Sequence, residues 1–153
     1  TFRDRFADWP VRVEVLSRFQ SLQHGDIDEK SPGDFVTVAD HACEVALEAR
    51  LPAILDAPVV GEEVAGRDPS LLDLVDHAPA VWVVDPIDGT ANFVYDLPTW
   101  CTSVAVVDAD GSLAGAVYVP VTDELFSAHR GGGATPRSAG EPSRTRARSR
   151  RRR

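Results

Sequence analysis

Along residues 3–23 the apolar positions Phe6, Trp9, Val13, Leu16 and Phe19 recur at roughly helical spacing. That period predicts a helix, which His24-Gly25-Asp26 ends. Inside it, Val11-Arg12-Val13-Glu14-Val15 alternates as a strand would, a competing period. Lys30-Ser31-Pro32-Gly33-Asp34 reads as a turn. A second helix is predicted from Asp40, a good N-cap, through His41, Val45, Ala46 and Ala49, with Pro52 ending, kinking or restarting it before Leu55. Val59-Val60 predicts a short strand leading into Gly61-Glu62-Glu63, and residues 71–75 a short helix. Val81-Trp82-Val83-Val84 is a continuous apolar run, as expected of a strand buried on both faces. Residues 102–107 and 113–119 flank Asp108-Ala109-Asp110-Gly111, a hairpin signal with Gly111 free to take positive φ. Residues 124–127 add a further short strand.

Helices first, then several strands on short connections, argue an α+β fold with a mixed or largely antiparallel sheet. After Gly131 the character changes. Residues 131–153 hold no apolar side chain larger than Ala and cannot bury a face, so they are expected to be a disordered tail behind a folded domain at 1–130.

The chain has 153 residues, 43% of them apolar, which is enough for one domain with a real core. No apolar stretch approaches the length needed to span a bilayer, and no apolar h-region follows Arg3 and Arg5, so neither a transmembrane helix nor a signal peptide is predicted. Methionine is absent, so the expectation is that the sequence as written does not begin at a translation start or that the start was removed. Cys43 and Cys101 lack metal-type spacing and read as two buried thiols in a cytoplasmic setting. The net charge of −8 divides unevenly. Through residue 126, Lys30 and six arginines face twenty-three acids, a formal −16, while residues 127–153 carry nine arginines and Glu141, a formal +8. An acidic body disfavours bare nucleic acid and anionic membranes; it suits divalent cations and, through them, anionic substrates.

The chemistry concentrates in Asp85-Pro86-Ile87-Asp88-Gly89-Thr90-Ala91-Asn92-Phe93, where two carboxylates stand three residues apart around a turn at the end of a buried strand. Gly89-Thr90 can open a short helix whose free N–H groups face any anion placed there. Magnesium takes carboxylate and carbonyl oxygens, so Asp85, Asp88 and the Ile87 carbonyl are candidate ligands beside a phosphate cradle. Glu62 and Glu63 follow another strand and repel each other unless a cation neutralises them. One of them near Asp85 would complete a bridging pair for two metals, an arrangement that activates water and clamps phosphate oxygens. A blander reading stands beside each: Asp-Pro and Asp-Gly are ordinary turn chemistry, and Glu62-Glu63 a solvated surface pair. His24, His41, His77 and His129 form no cluster and read as structural or surface residues. Trp82 and Trp100 read as core aromatics rather than a base-stacking platform.

In combination, Lys30 through Asp40 (KSPGDFVTVAD), Gly61-Glu62-Glu63 and Trp82 through Phe93 (WVVDPIDGTANF) closely resemble three successive motifs of the inositol monophosphatase family, and Leu97-Pro98 and Ser103-Val104-Ala105 match the segment that follows. The resemblance runs over roughly residues 10–135. It implies a layered α-β-α sandwich, of which this chain carries the N-terminal half. It implies Mg2+-dependent hydrolysis of a small phosphate monoester by a metal-activated water, with inositol monophosphate as the family default. Histidinol phosphate, 3'-phosphoadenosine 5'-phosphate and fructose 1,6-bisphosphate are neighbouring substrates. By the same resemblance Glu62 is a metal ligand that orients the attacking water, Asp85 bridges two magnesium ions, the Ile87 carbonyl completes one shell and Asp88 binds the second metal. The Thr90 hydroxyl positions the water with Glu62, and the Gly89 and Thr90 amides hold the phosphate beside Asp88. Glu63, Lys30 and Asp40 match positions that support the site, and Asp40 has the equal alternative of being only a helix cap. Family members are often homodimers.

The resemblance stops near Gly131-Gly132-Gly133-Ala134. A later Trp-Asp motif, which in the family supplies a further ligand to the second metal, has no counterpart here, and an Arg-rich stretch follows instead. That is the expectation for a chain truncated or read out of frame near residue 135, with its activity in doubt. The other reading of Arg144 to Arg153 is a basic arm for nucleic acid or an acidic partner. The alternative to an enzyme is an inactive metal- or phosphate-binding fragment, or a basic-tailed binding module.

Overall fold

The computed structural model describes residues 11–138. The expectations for Phe6 and Trp9, and for the tail from residue 139 onward, lie outside the described residues.

The described chain opens with a helical turn, Val11–Leu16, that buries Val11 and Val15, one turn apart. Phe19 continues that stripe and packs against the core, while Val13 is 62% exposed. The helical period is therefore right and its register differs: the buried stripe is Val11, Val15 and Phe19, not one through Val13. A short helical turn at His24–Asp26 leads into the strand β1 (Ile27–Ser31), which pairs antiparallel with β2 (Asp34–Thr37). The expected turn lies between them, with Gly33 at φ +80°.

Helix α1 (Val38–Glu48) starts from Thr37 rather than from Asp40. The extended Thr37 presents its hydroxyl to the Ala39 and Asp40 N–H groups, and the Asp40 carboxylate accepts from the Thr37 N–H at 2.8 Å. This reciprocal capping box needs a polar acceptor at the third helical position, which is why Asp40 sits inside the first turn. The buried face of α1 is Ala39, Asp40, Cys43, Glu44 and Leu47, so two acids share the stripe that meets the protein interior.

A helical turn at Leu51–Ala53 precedes β3 (Val59–Gly61) and the short helix α2 (Glu62–Arg67). The turn Pro69–Leu72 and α3 (Asp73–His77) then lead to β4 (Val81–Asp88), α4 (Thr90–Val94), β5 (Cys101–Asp108), β6 (Gly111–Val119), β7 (Glu124–His129) and β8 (Gly133–Ser138). β3 to β8 form one sheet in sequence order, with β3 parallel to β4 and every other pair antiparallel. This is the mixed, largely antiparallel sheet expected. Gly111 turns the β5–β6 hairpin at φ +105°.

The expectation of disorder from Gly131 onward is corrected for residues 133–138. There β8 pairs with β7 from His129↔Gly133 to Glu124↔Ser138. Backbone ladder bonds hold this segment, so it needs no apolar face of its own.

The opening turn and α1 cover one face of the sheet. Val11, Val15, Cys43 and Leu47 pack there against Trp82, Val84, Val104, Val106, Ala116, Tyr118 and Leu125. Each such buried aliphatic side chain contributes about 1.5–3 kcal/mol. Strand alternation puts Val117 and its cross-strand partner Phe126 on the opposite face, where they are 36% and 42% exposed. Among the described residues no helix is long and apolar enough to cross a membrane.

Candidate active site

The candidate residues meet where the carboxyl ends of the parallel strands β3 and β4 come side by side, with Gly61 in register with Val84. Glu62 and Glu63 open α2 directly after β3, and Asp85 follows Val84 on β4. β4 continues past Asp85 to Asp88, and the ladder to β5 is interrupted between Asp85↔Ser103 and Asp88↔Cys101. Pro86 has no N–H to give to that ladder, so an irregularity falls here for a covalent reason. The Thr102 hydroxyl takes the Pro86 carbonyl at 2.6 Å and pins the displaced stretch. The strand therefore ends four residues after the apolar run does, with both aspartates still on it.

Asp85 is half-buried, and its Oδ1 is buried with no hydrogen-bond partner. Burial pushes its pKa up, and the charges of Glu62, Asp88 and Asp40 push it the same way. Glu62, Asp88 and Asp40 thus each stand near enough to Asp85 for their charges to act on it. Asp40 is 2% exposed, and its pKa is raised to about 6, chiefly by burial, against hydrogen bonds from Thr37 that lower it.

Lys30 reaches from β1 to the buried Glu63, donating to its Oε1 at 2.9 Å, and lies 3.4 Å from Asp34. Burial lowers the Lys30 pKa, but the Glu63 bond and charge outweigh it and the net shift is upward. The hairpin that carries Lys30 is docked by Phe35, which meets Tyr95 edge-on at 5.8 Å just after α4.

Gly89 stands at φ +94°, a left-handed turn from β4 into α4, and a Cβ there would lie 3.1 Å from the Thr99 carbonyl oxygen. Asn92 donates to that same carbonyl at 2.7 Å and closes the loop. The Thr90 hydroxyl donates to the Ile87 carbonyl at 2.8 Å, so its proton is directed at the backbone rather than at Glu62. Phe93 packs edge-on against Trp100 at 5.0 Å and anchors α4 in the core beneath the site.

Three residues that the sequence pattern leaves unmarked belong to this neighbourhood. Thr37 caps α1. Cys101 donates its thiol to Asp88 Oδ2 at 3.8 Å, and burial and the Asp88 charge push its pKa up to about 11. It is only half-buried, unlike Cys43, and both thiols are free. Glu44, four residues after Asp40 on α1, is 6% exposed. The signal for Glu44 was its spacing, since positions four apart share a helix face.

The sequence profile of the inositol monophosphatase family matches residues 9–152 of this chain. The chain belongs to the inositol monophosphatase family. It is 38% identical over 138 residues to inositol monophosphatase 2 of Solanum lycopersicum, covering 86% of this chain and 51% of that protein. The extragenic suppressor protein suhB from Bartonella henselae superposes with a TM-score of 0.67 at 31% identity, over 94% of this chain and 52% of that one. An IMPase/NADP phosphatase solved with Mg2+ and phosphate shares the fold, with a TM-score of 0.65 at 22% identity over 82% of this chain and 46% of that one. This family member spans about half the length of the curated relatives it matches.

Membership implies magnesium, and the donor set suits it on one observation: the unpartnered Asp85 Oδ1 lies among carboxylates that raise its affinity for a positive charge. Among the described residues no three His, Cys, Asp or Glu side chains converge on one point. Two carboxylates with a backbone carbonyl and water remain an adequate shell, because magnesium dehydrates reluctantly and usually keeps several waters.

Proposed function

We propose that the chain carries the metal- and phosphate-binding half of a Mg2+-dependent phosphatase acting on a small phosphate monoester, inositol monophosphate being the first substrate to try. The observation that carries this reading is Asp85, with a buried unpaired oxygen beside Glu62, Asp88 and Asp40. Relatives named for inositol monophosphate hydrolysis support the substrate class. Histidinol phosphate, 3'-phosphoadenosine 5'-phosphate and fructose 1,6-bisphosphate are the other substrates to compare.

On this reading Glu62, Asp85, Asp88 and the Ile87 carbonyl would hold magnesium, which would lower the pKa of a water and neutralise phosphate charge. Glu62 orients the attacking water. The Thr90 hydroxyl, donating to the Ile87 carbonyl, keeps its lone pairs free to accept from that water. The Gly89 and Thr90 amides hold the phosphate at the turn into α4. The water oxygen would bond to phosphorus as the ester P–O bond breaks, and the proton that water sheds would end on the departing alkoxide oxygen, which leaves as the alcohol. Lys30 holds Glu63 in place and brings a positive charge toward an otherwise acidic site.

The test is phosphate release from inositol 1-phosphate with and without Mg2+, with Asp85→Asn as control. Metal-dependent release that the substitution abolishes supports the reading. Release that ignores both the metal and Asp85 overturns it. Metal binding without turnover moves the chain to an inactive metal-binding fragment.

A further inference from the structure

We propose that Glu44 is a positioning residue that holds the Gly61-Glu62-Glu63 turn and so sets where the Glu62 carboxylate stands. The proposal rests on the metal-site reading of Glu62.

Helix α2 (Glu62–Arg67) is a single short helix with two adjacent acids in its first turn. Its N-cap is Gly61, which has no side chain to offer, so the local sequence leaves the first-turn amides uncapped. Glu44 supplies the missing cap from α1. Its side chain lies against Gly61 so closely that a Cβ on Gly61 would overlap the Glu44 carboxylate. Burial raises the pKa of that carboxylate, and the nearby Val64 backbone N–H pulls it back down. Val64 is the third residue of α2, and its amide is the one an N-cap side chain would ordinarily take.

Two points thus hold the turn: Lys30 grips Glu63 at 2.9 Å on one side, and Glu44 grips Gly61 and Val64 on the other. Glu62, exposed between them, takes its position from that grip. Glu44 Oε1 is buried with no hydrogen-bond partner. An unpaired buried oxygen offsets much of what the capping bond contributes to stability, so the effect of Glu44 falls on geometry more than on folding. The contact also explains why the position before the two glutamates is glycine. Gly61 has φ −89°, which any residue can adopt, so the constraint is the Glu44 carboxylate and not the backbone.

The test uses the full chain and Mn2+ as the probe, with affinity read by electron paramagnetic resonance at a temperature where thermal melts show every variant folded. Exchange of the Val64 amide is followed by NMR in parallel. Glu44→Ala is expected to weaken Mn2+ binding at least about tenfold, as loss of a residue behind a metal ligand does, and to speed Val64 exchange. Glu44→Gln keeps an oxygen that can accept from Val64 and stays close to wild type in both. Gly61→Ala displaces the Glu44 side chain and matches Glu44→Ala, and the double variant is no weaker than either single one. Unchanged Mn2+ affinity in Glu44→Ala despite faster Val64 exchange overturns the proposal, leaving a purely structural cap. Equal loss in Glu44→Gln and Glu44→Ala overturns it in favour of a charge effect. A wild-type chain that takes up no Mn2+ overturns the metal-site reading instead. Val64 exchange then decides the cap itself, and unchanged exchange in Glu44→Ala removes it.

Discussion

The Thr102 hydroxyl donates to the Pro86 carbonyl at 2.6 Å in a buried setting, and this bond ties β5 to the irregular stretch that carries Asp85 and Asp88. Thr102 is fully buried, so no water replaces it when it is lost. Thr102→Val keeps the shape and leaves the Pro86 carbonyl unpaired. It is expected to lower stability by about 1–3 kcal/mol and to weaken divalent-cation binding, because the spacing of the two aspartates is no longer fixed. Thr102→Ser should recover most of the binding. Urea denaturation and a Mn2+ titration check both parts, and unchanged binding in Thr102→Val would remove Thr102 from the account.

Gly89 is the second rigid point. At φ +94°, with the Thr99 carbonyl oxygen 3.1 Å from any added Cβ, the turn strains every residue but glycine. Gly89→Ala is expected to cost about 1–2 kcal/mol from the left-handed backbone alone. It also shifts the Thr90 amide and hydroxyl relative to Ile87, so phosphate release should fall further than the stability loss explains. Thermal melts paired with initial rates separate the two effects.

The acidic cluster sets a pH dependence of stability. The folded-state pKa of Asp40 is raised from 3.8 to about 6 by burial, and Asp85 shifts in the same direction through burial and Glu62. Between those values the native state binds more protons than the unfolded chain, so this stabilisation is complete below 3.8 and is lost as pH rises through about 6. Asp108, held low by its hydrogen bond from Arg130, acts only at more acidic pH and does not offset the trend. Without metal, the melting temperature should fall as pH rises from about 4.5 to about 7.5. Saturating Mg2+ should restore more at the upper end than at the lower. A metal-free melting temperature that rises across that window contradicts the assignment.

Much of the candidate site's placement was legible because its residues are close in sequence. Asp85, Asp88, Gly89 and Thr90 lie within six residues, and the apolar run Val81-Trp82-Val83-Val84 already marks the strand that delivers them. The Asp108-Ala109-Asp110-Gly111 hairpin was equally plain, since Gly111 needs positive φ. Strand β1 was hidden because Asp28, Glu29, Lys30 and Ser31 are all exposed and carry no alternation. Strand β8 was hidden because its ladder to β7 uses backbone groups that every residue has. The Asp40 assignment turned on three residues: Thr37 forms the cap, and its reciprocal bond with Asp40 appears only once the backbone is placed. The sequence could place Glu44 on the helix face of Asp40, but its contacts were hidden for a different reason. Its partners are seventeen and twenty residues away along the chain, at Gly61 and Val64, and only the packing of α1 against β3 and α2 joins them.

The central claim is that the carboxylates around Asp85 are gathered to hold magnesium. Isothermal titration of Mg2+ into the full chain and into its Asp85→Asn variant tests it most directly. The account predicts saturable binding to the wild type, and binding weaker by more than about 100-fold, beyond the usual loss for a merely supporting residue, in the variant. No binding to a folded wild-type chain, or equal binding to both, would contradict it.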